Sequence, residues 1–207
     1  MTRRAEIVNA ALALADERGL DAVSMRGVAD RVGVTPMALY PYVGNKAALL
    51  DAMIGALVGQ LAPSVAGSAT ERLVAFARSA RAMVIRHPWA AALLFSRPAV
   101  APDSVRTVDA VYEALLELGV PPAAVPRMER MVSTVVLGYA ASEAGGRFGP
   151  GEFDPRGRRG QLPEGDLPAH SALAEILDRP VDWDSEFEAD LADLGLMIEA
   201  VARRAAG

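Results

Sequence analysis

The sequence predicts an all-α fold. Apolar residues recur every three or four positions along nearly the whole chain, alternating or β-branched strand runs are missing, and capping residues, glycines and prolines punctuate the pattern at helical intervals. With 207 residues, 52% of them hydrophobic, the chain can build one large core or a small domain joined to a larger one.

The first helix starts at a Thr2 cap, carries Ile7, Ala11 and Leu14 on one face and closes at Gly19. A second starts at Ser24, is expected to bury Val28, Ala29 and Val32, and stops at Gly33. A very short third helix has Thr35 as its cap and Pro36 in its first turn, where a missing N–H costs no hydrogen bond; Pro41 is expected to stop it. Asn45 caps a fourth, with Leu50, Met53, Ile54, Leu57 and Leu61 as its apolar face up to Pro63. Ser68 and Glu71 have capping-box spacing before the next helix, which His87-Pro88 interrupts ahead of a short apolar piece, PWAAALLF. A helix from about Asp103 to Leu118 and another from about Ala123 through Met128, Met131, Val135 and Tyr139 follow. Residues 145 to 169, crowded with Gly and Pro, predict a mobile loop. In the last helix Phe187, Leu191, Leu194, Ile198 and Val201 form a narrow seam. Gly138 and Gly195 lie inside predicted helices, which suggests close helix approach at those points.

The chain has no cysteine, which excludes disulfide scaffolds and thiolate chemistry and fits a reducing interior such as the cytoplasm. The N-terminal apolar stretch is interrupted by Asp16, Glu17 and Arg18, so no signal peptide is expected, and no apolar run is long enough to span a bilayer. The two histidines, His87 and His170, have no second ligand at a metal spacing, and neither a metal nor a cofactor is expected. No nucleophile with a base and no phosphate-cradling loop on a strand-helix unit points to an enzyme. Net charge is −5, which by itself argues against a nucleic-acid partner. Residues 1 to 46, however, carry six basic and five acidic side chains, net +1, leaving −6 on the remainder.

Lys46 is the only lysine beside twenty arginines, and it directly follows the Asn45 cap. Arg26 stands in the same way just after the Ser24 cap. A helix N-terminus carries partial positive charge, so cations there either are ordinary solvated charges or prepare a site for phosphate. The intervening helix, tight Gly33-Val34 turn and short helix favour phosphate, because they read as a helix-turn-helix whose second helix enters the major groove by its N-terminal residues. Thr35, Pro36, Met37 and Ala38 then face base edges, and the hydroxyls of Tyr40 and Tyr42 reach phosphates unless one of these rings is packed inside.

The stretch SMRGVADRVGVTPMALYPYVGNKAALLDAM resembles the DNA-binding region of the tetracycline-repressor (TetR) family, with its GV turn, LY pair and NK-x-x-LL. The resemblance, over residues 4 to 55, implies that Leu39 is core, that Met25 and Arg26 lie against DNA, that Pro36, Met37 and Ala38 face bases, and that Tyr40, Tyr42 and Lys46 grip the backbone. It implies a DNA-binding domain at 1–46, a connecting helix at 45–62, and a helical effector-binding and dimerisation domain at 47–207. RHPWAAALLFSRP and the LGY…E run at 137–143 are similar to the larger domain of the tetracycline-repressor branch. That branch holds its drug-bound magnesium with a histidine shortly before an Arg-Pro turn, a position occupied here by Leu93, so a metal-free organic effector is implied. Met83, Trp89, Phe95, Tyr112, Met131 and Tyr139 are candidate pocket walls, with Arg97 and Glu143 as polar anchors. The expected function is a ligand-responsive regulator, a homodimer on a palindromic double-stranded DNA operator. The rival is a helical dimeric small-molecule-binding or interaction protein without DNA binding.

Overall fold

The structure, a computed structural model, describes residues 2–61, 66–98, 100–147, 166–177 and 179–205. Among these the only regular elements are helices. Helix α1 spans Arg3–Arg18 and opens on Thr2, whose hydroxyl accepts from Ala5 N; α2 spans Met25–Val32 and opens on Ser24, which accepts from Gly27 N at 3.0 Å. Gly33 closes α2 with φ 76°, a left-handed conformation that favours glycine.

The next segment departs from the sequence expectation. Pro36–Leu39 form a 3-10 turn that runs directly into α3, Tyr40–Val43. Pro41 therefore does not stop the helix. It sits in the first turn of α3, where its missing N–H is tolerated, and Gly44 with φ 68° ends the element. Thr35 has extended backbone at the start of the turn, but its side chain makes no capping bond. Val32 is only half-buried.

Helix α4, Lys46–Gly59, is capped by Asn45 Oδ1 accepting from Ala48 N at 2.9 Å. Its buried residues surround the axis because the helix is gripped on several sides. Leu49 and Met53 join the core formed by α1 to α3, Ile54 and Val58 meet Leu93, and Leu57 enters the larger core. Against its remaining side lies the start of a later helix, α7 (Pro102–Glu117). A Cβ added to Gly55 would stand 2.6 Å from Ala101 Cβ, and one on Gly59 would stand 2.9 Å from Asp103 Cβ. Thr107, fully buried, donates from Oγ1 to Val58 O at 3.1 Å across this crossing.

Helix α5, Ala69–Arg86, begins with the expected capping box: Ser68 Oγ accepts from Glu71 N, and Glu71 Oε2 accepts from Ser68 N at 2.7 Å. His87 ends it, and α6, Ala90–Ser96, follows. Helix α8, Val125–Ala144, packs along α5 and α7 and buries Met128, Val132, Val136 and Ala140. Two short helices that the sequence reading missed, α9 (Pro168–Ala172) and α10 (Ala174–Leu177), precede α11, Trp183–Ala205. Most of the loop expected at 145 to 169 lies outside the described residues, as does Pro63.

The α11 seam faces inward. Phe187 and Ile198 are buried in the larger core, and Leu191, Leu194 and Val201 pack against it. Burial of apolar area against α5 and α8 in the same chain accounts for the 4-3 spacing. Within the chain a Cβ at Gly138 or Gly195 would meet nothing within 4 Å, so neither glycine marks a close approach between helices of one copy.

Candidate nucleic-acid interface and ligand cavity

The core of α1 to α4 is built from Ile7, Leu14, Val28, Leu39, Leu49 and Met53, all nearly or fully buried. Burying these leaves the other side of the α2–α3 segment in solvent. Arg26, Thr35, Met37, Ala38, Tyr40, Tyr42 and Lys46 are exposed, and Pro36 is half-buried. Met37 is 75% exposed. Tyr40 and Tyr42 are both exposed, so neither ring is a packing residue of this core. Met25 differs from the others, being half-buried and packed against the α1–α4 core.

The charges divide in the same way. Arg31 is held by Glu17 through two 2.6 Å bonds, and Arg3 pairs with Glu6. Arg26 and Lys46 form no ion pair among the described residues. Helices α1, α5 and α7 have an acid in the first turn, as the helix dipole favours; α2 and α4, like α8, have none, and the first turns of α2 and α4 carry these two cations. Backbone N–H groups and a cation at one helix start suit an anionic oxygen.

In the larger core a cavity of about 720 Å³ opens between α4, α5, α6, α7 and α8. It brings together four of the expected ligand residues, Met83, Phe95, Arg97 and Tyr112. Its size and mostly apolar wall match sites for organic molecules. The other four expected residues lie elsewhere. Trp89 donates from Nε1 to Asp16 Oδ1 at 2.7 Å and packs where the two cores meet, because the indole N–H finds its acceptor on α1. Met131 packs half-buried against the core without lining the cavity. Tyr139 donates to Trp183 O at 2.7 Å beside Phe187, and burial pushes its phenol up to about 12. It lines a second cavity, of about 610 Å³, between α8 and α11. Glu143 is taken by Arg81 through two 2.7 Å bonds, and Arg81 also reaches Asp184, so this carboxylate is neutralised by its own chain.

Sequence reading missed Glu129, Arg130, Ser133 and Thr134, which bring polar groups to the larger cavity from α8. Met128, Val132 and Val136 repeat every four residues as the buried stripe, and these four, one or two positions further on, lie beside it; their spacing does not say what they face. Burial pushes the Glu129 carboxyl above its usual range, against the opposing pull of Ser133 and Arg130. Arg97 does two things at once. It lines the cavity, and its guanidinium donates to Asp51 Oδ1 at 2.8 Å and to Ala47 O at 3.2 Å on α4. Leu93 is buried against Ile54 and Val58. Among the described residues no group of three His, Asp or Glu could hold a metal ion. His87, at the end of α5, shares Asp16 Oδ1 with Trp89 at 2.6 Å.

Residues 7–53 match the profile of the bacterial regulatory proteins of the tetR family, and residues 64–202 match the tetracyclin repressor-like C-terminal domain. The chain belongs to the TetR family. Among relatives of this TetR chain is an HTH-type transcriptional regulator of Saccharopolyspora erythraea, 34% identical over 67% of the chain and 60% of that protein. A second is the HTH-type transcriptional repressor DrrR1 of Streptomyces coeruleorubidus, 33% identical over 66% of the chain and 52% of its own length. The matched part thus spans a little over half of these two curated relatives. Apo ActR of Streptomyces coelicolor superposes with TM-score 0.83 over 99% of the chain and 98% of its own, at 26% identity. The same TetR family protein solved with (S)-DNPA superposes at 0.82 over 98% and 99%, at 25% identity. The family consists of transcriptional regulators. No helix among the described residues is long and apolar enough to cross a membrane.

Proposed function

We propose that the chain is a cytoplasmic transcriptional repressor that binds a palindromic operator as a homodimer and leaves it when a small organic effector enters the 720 Å³ cavity. Residues 1–46 act as the DNA-binding unit, α4 connects, and the remaining helices hold the effector and the partner copy. The observation that carries this reading is Arg97. One side chain lines the cavity and holds the first two turns of α4 through Ala47 and Asp51, close to Lys46. Displacement of Arg97 by a ligand releases the start of the helix that bears the phosphate-binding cation, and the spacing of two recognition segments on a rigid duplex tolerates little change.

At the DNA, Thr35, Pro36, Met37 and Ala38 contact base edges, with Arg26, Tyr40, Tyr42 and Lys46 on phosphates and Met25 acting through its support of Arg26. A second copy packs over α8 and α11, where Val135 and Leu196 are exposed and Gly138 and Gly195 leave room for a close neighbour. The complexes of ActR with small molecules support an effector of this kind. The protein acts by binding, without catalysis and without a metal. The test is fluorescence anisotropy with duplexes tiled across the DNA flanking its own gene. Saturable binding to one near-palindrome, two protomers per duplex, is expected. Uniform weak binding to every duplex would remove the regulator reading and leave an interaction protein.

A further inference from the structure

We propose that the larger cavity is built for an organic cation, an apolar body carrying a protonated amine that pairs with Glu129. This rests on the reading of that cavity as the effector site. Its walls are apolar, formed by Phe76, Met83, Leu94, Phe95, Tyr112 and Leu137 among others. Three charged side chains reach it: Arg97, Arg130 and Glu129. The Arg97 charge is matched by Asp51 at 2.8 Å. Arg130 is exposed, so water screens it. Glu129 is half-buried and forms no ion pair among the described residues. The half-buried acids Asp51 and Glu143 are treated differently, each meeting an arginine within 2.8 Å.

A carboxylate facing an apolar cavity without an ion pair is costly, and burial outweighs the opposing pull of Ser133 and Arg130 so that its protonation is favoured. A ligand ammonium group removes that cost and adds a charge-assisted hydrogen bond, while an anion in the same place meets a like charge. The polar side of the amine has Ser133 and Thr134 beside it on the same helix. The rest of the molecule gains affinity by burial against the aromatic and aliphatic wall.

Three fluorescent probes on one tricyclic body separate charge from shape: 9-aminoacridine, a cation at pH 7.5; acridine, largely neutral; and acridine-9-carboxylate, an anion. Titration of the full-length protein without DNA is expected to rank them cation, neutral, anion, with at least about tenfold between the first and last. In Glu129→Gln, which keeps the side-chain shape, the preference should disappear; a thermal melt establishes that the variant is folded. Equal affinities in the wild type, preference for the anion, or a cation preference that survives Glu129→Gln overturns the assignment. A second variant, Ser133→Trp, fills the cavity from α8. Binding abolished by Ser133→Trp but blind to charge sinks the amine and keeps the cavity. Binding unaffected by Ser133→Trp, or no binding by any probe, sinks the cavity as a ligand site and the amine with it.

Discussion

Replacement of Gly55 by alanine tests how α4 is held. An ideal Cβ there lies 2.6 Å from Ala101 Cβ, whereas ordinary contact begins near 3.4 Å, so the two backbones must separate by about 1 Å or the helix must rotate. Two terms oppose each other. Alanine gains about 1 kcal/mol in helix propensity over glycine, and overpacking a close crossing costs about 1–3 kcal/mol. The net is a loss of about 0–2 kcal/mol, which in a chain of this size lowers Tm by up to about 8 °C. Gly59→Ala, with its nearest atom at 2.9 Å, should do the same to a smaller degree. The displacement is transmitted, because Lys46 begins the same helix about 14 Å away by helical rise. Operator affinity should therefore fall in the order wild type, Gly59→Ala, Gly55→Ala, measured by anisotropy beside the melting curves. A Gly55→Ala protein more stable than wild type, with unchanged operator affinity, would show that the α4–α7 crossing has slack and that the reasoning from its closeness is wrong.

Other perturbations separate the roles of particular residues. Lys46→Ala should weaken specific and random DNA by similar factors and reduce the salt slope by about one, whereas Met37→Ala should change base preference; equal slopes for Lys46→Ala and wild type remove the lysine from the interface. Leu194→Arg places a charge against the larger core and should lower Tm by about 4 °C or more, from a cost of at least about 2 kcal/mol, before it affects assembly; a wild-type melting curve with a monomer mass by light scattering would instead put Leu194 on the outside. Glu129 has a raised folded pKa, so folding favours its protonated form, and that contribution is full below the unfolded value and lost as pH rises through the folded one. Glu129→Gln should thus be more stable than wild type at pH 7.5, with the difference shrinking toward pH 4; a difference independent of pH removes the desolvated carboxyl as its cause.

Local signals carried the helix boundaries well where a cap and a stop stood at both ends. Ser24 and Gly33, Asn45, and the Ser68–Glu71 box form the bonds their spacing implied. They failed at Pro41, because a 3-10 turn feeding a helix places proline in a first turn that periodicity alone does not reveal. The exposed face proposed for DNA was legible as a surface because its cations and tyrosines sit within one short stretch of chain. The candidate ligand cavity was only half legible. Met83, Phe95, Arg97 and Tyr112 converge from three helices, but composition cannot tell an aromatic beside a cavity from one beside another ring, as Tyr139 shows with Trp183 and Phe187. Glu143 and Glu129 occupy the same helix, and only the three-dimensional position of Arg81 decides which of them is neutralised. The tight α4–α7 contact depends on residues some fifty positions apart, which the pattern within α4 alone does not relate.

The shared acceptor at Asp16 bears on how the smaller unit can move. His87 Nδ1 and Trp89 Nε1 converge on one carboxylate oxygen of α1, while α4 joins the same unit to the larger core by continuous chain. A body pinned at one point swings in any direction, but one pinned at two turns mainly about the line between them. Under the proposed release, the Asp16 attachment beside α4 should make a push on α4 turn the smaller unit instead of letting it drift freely.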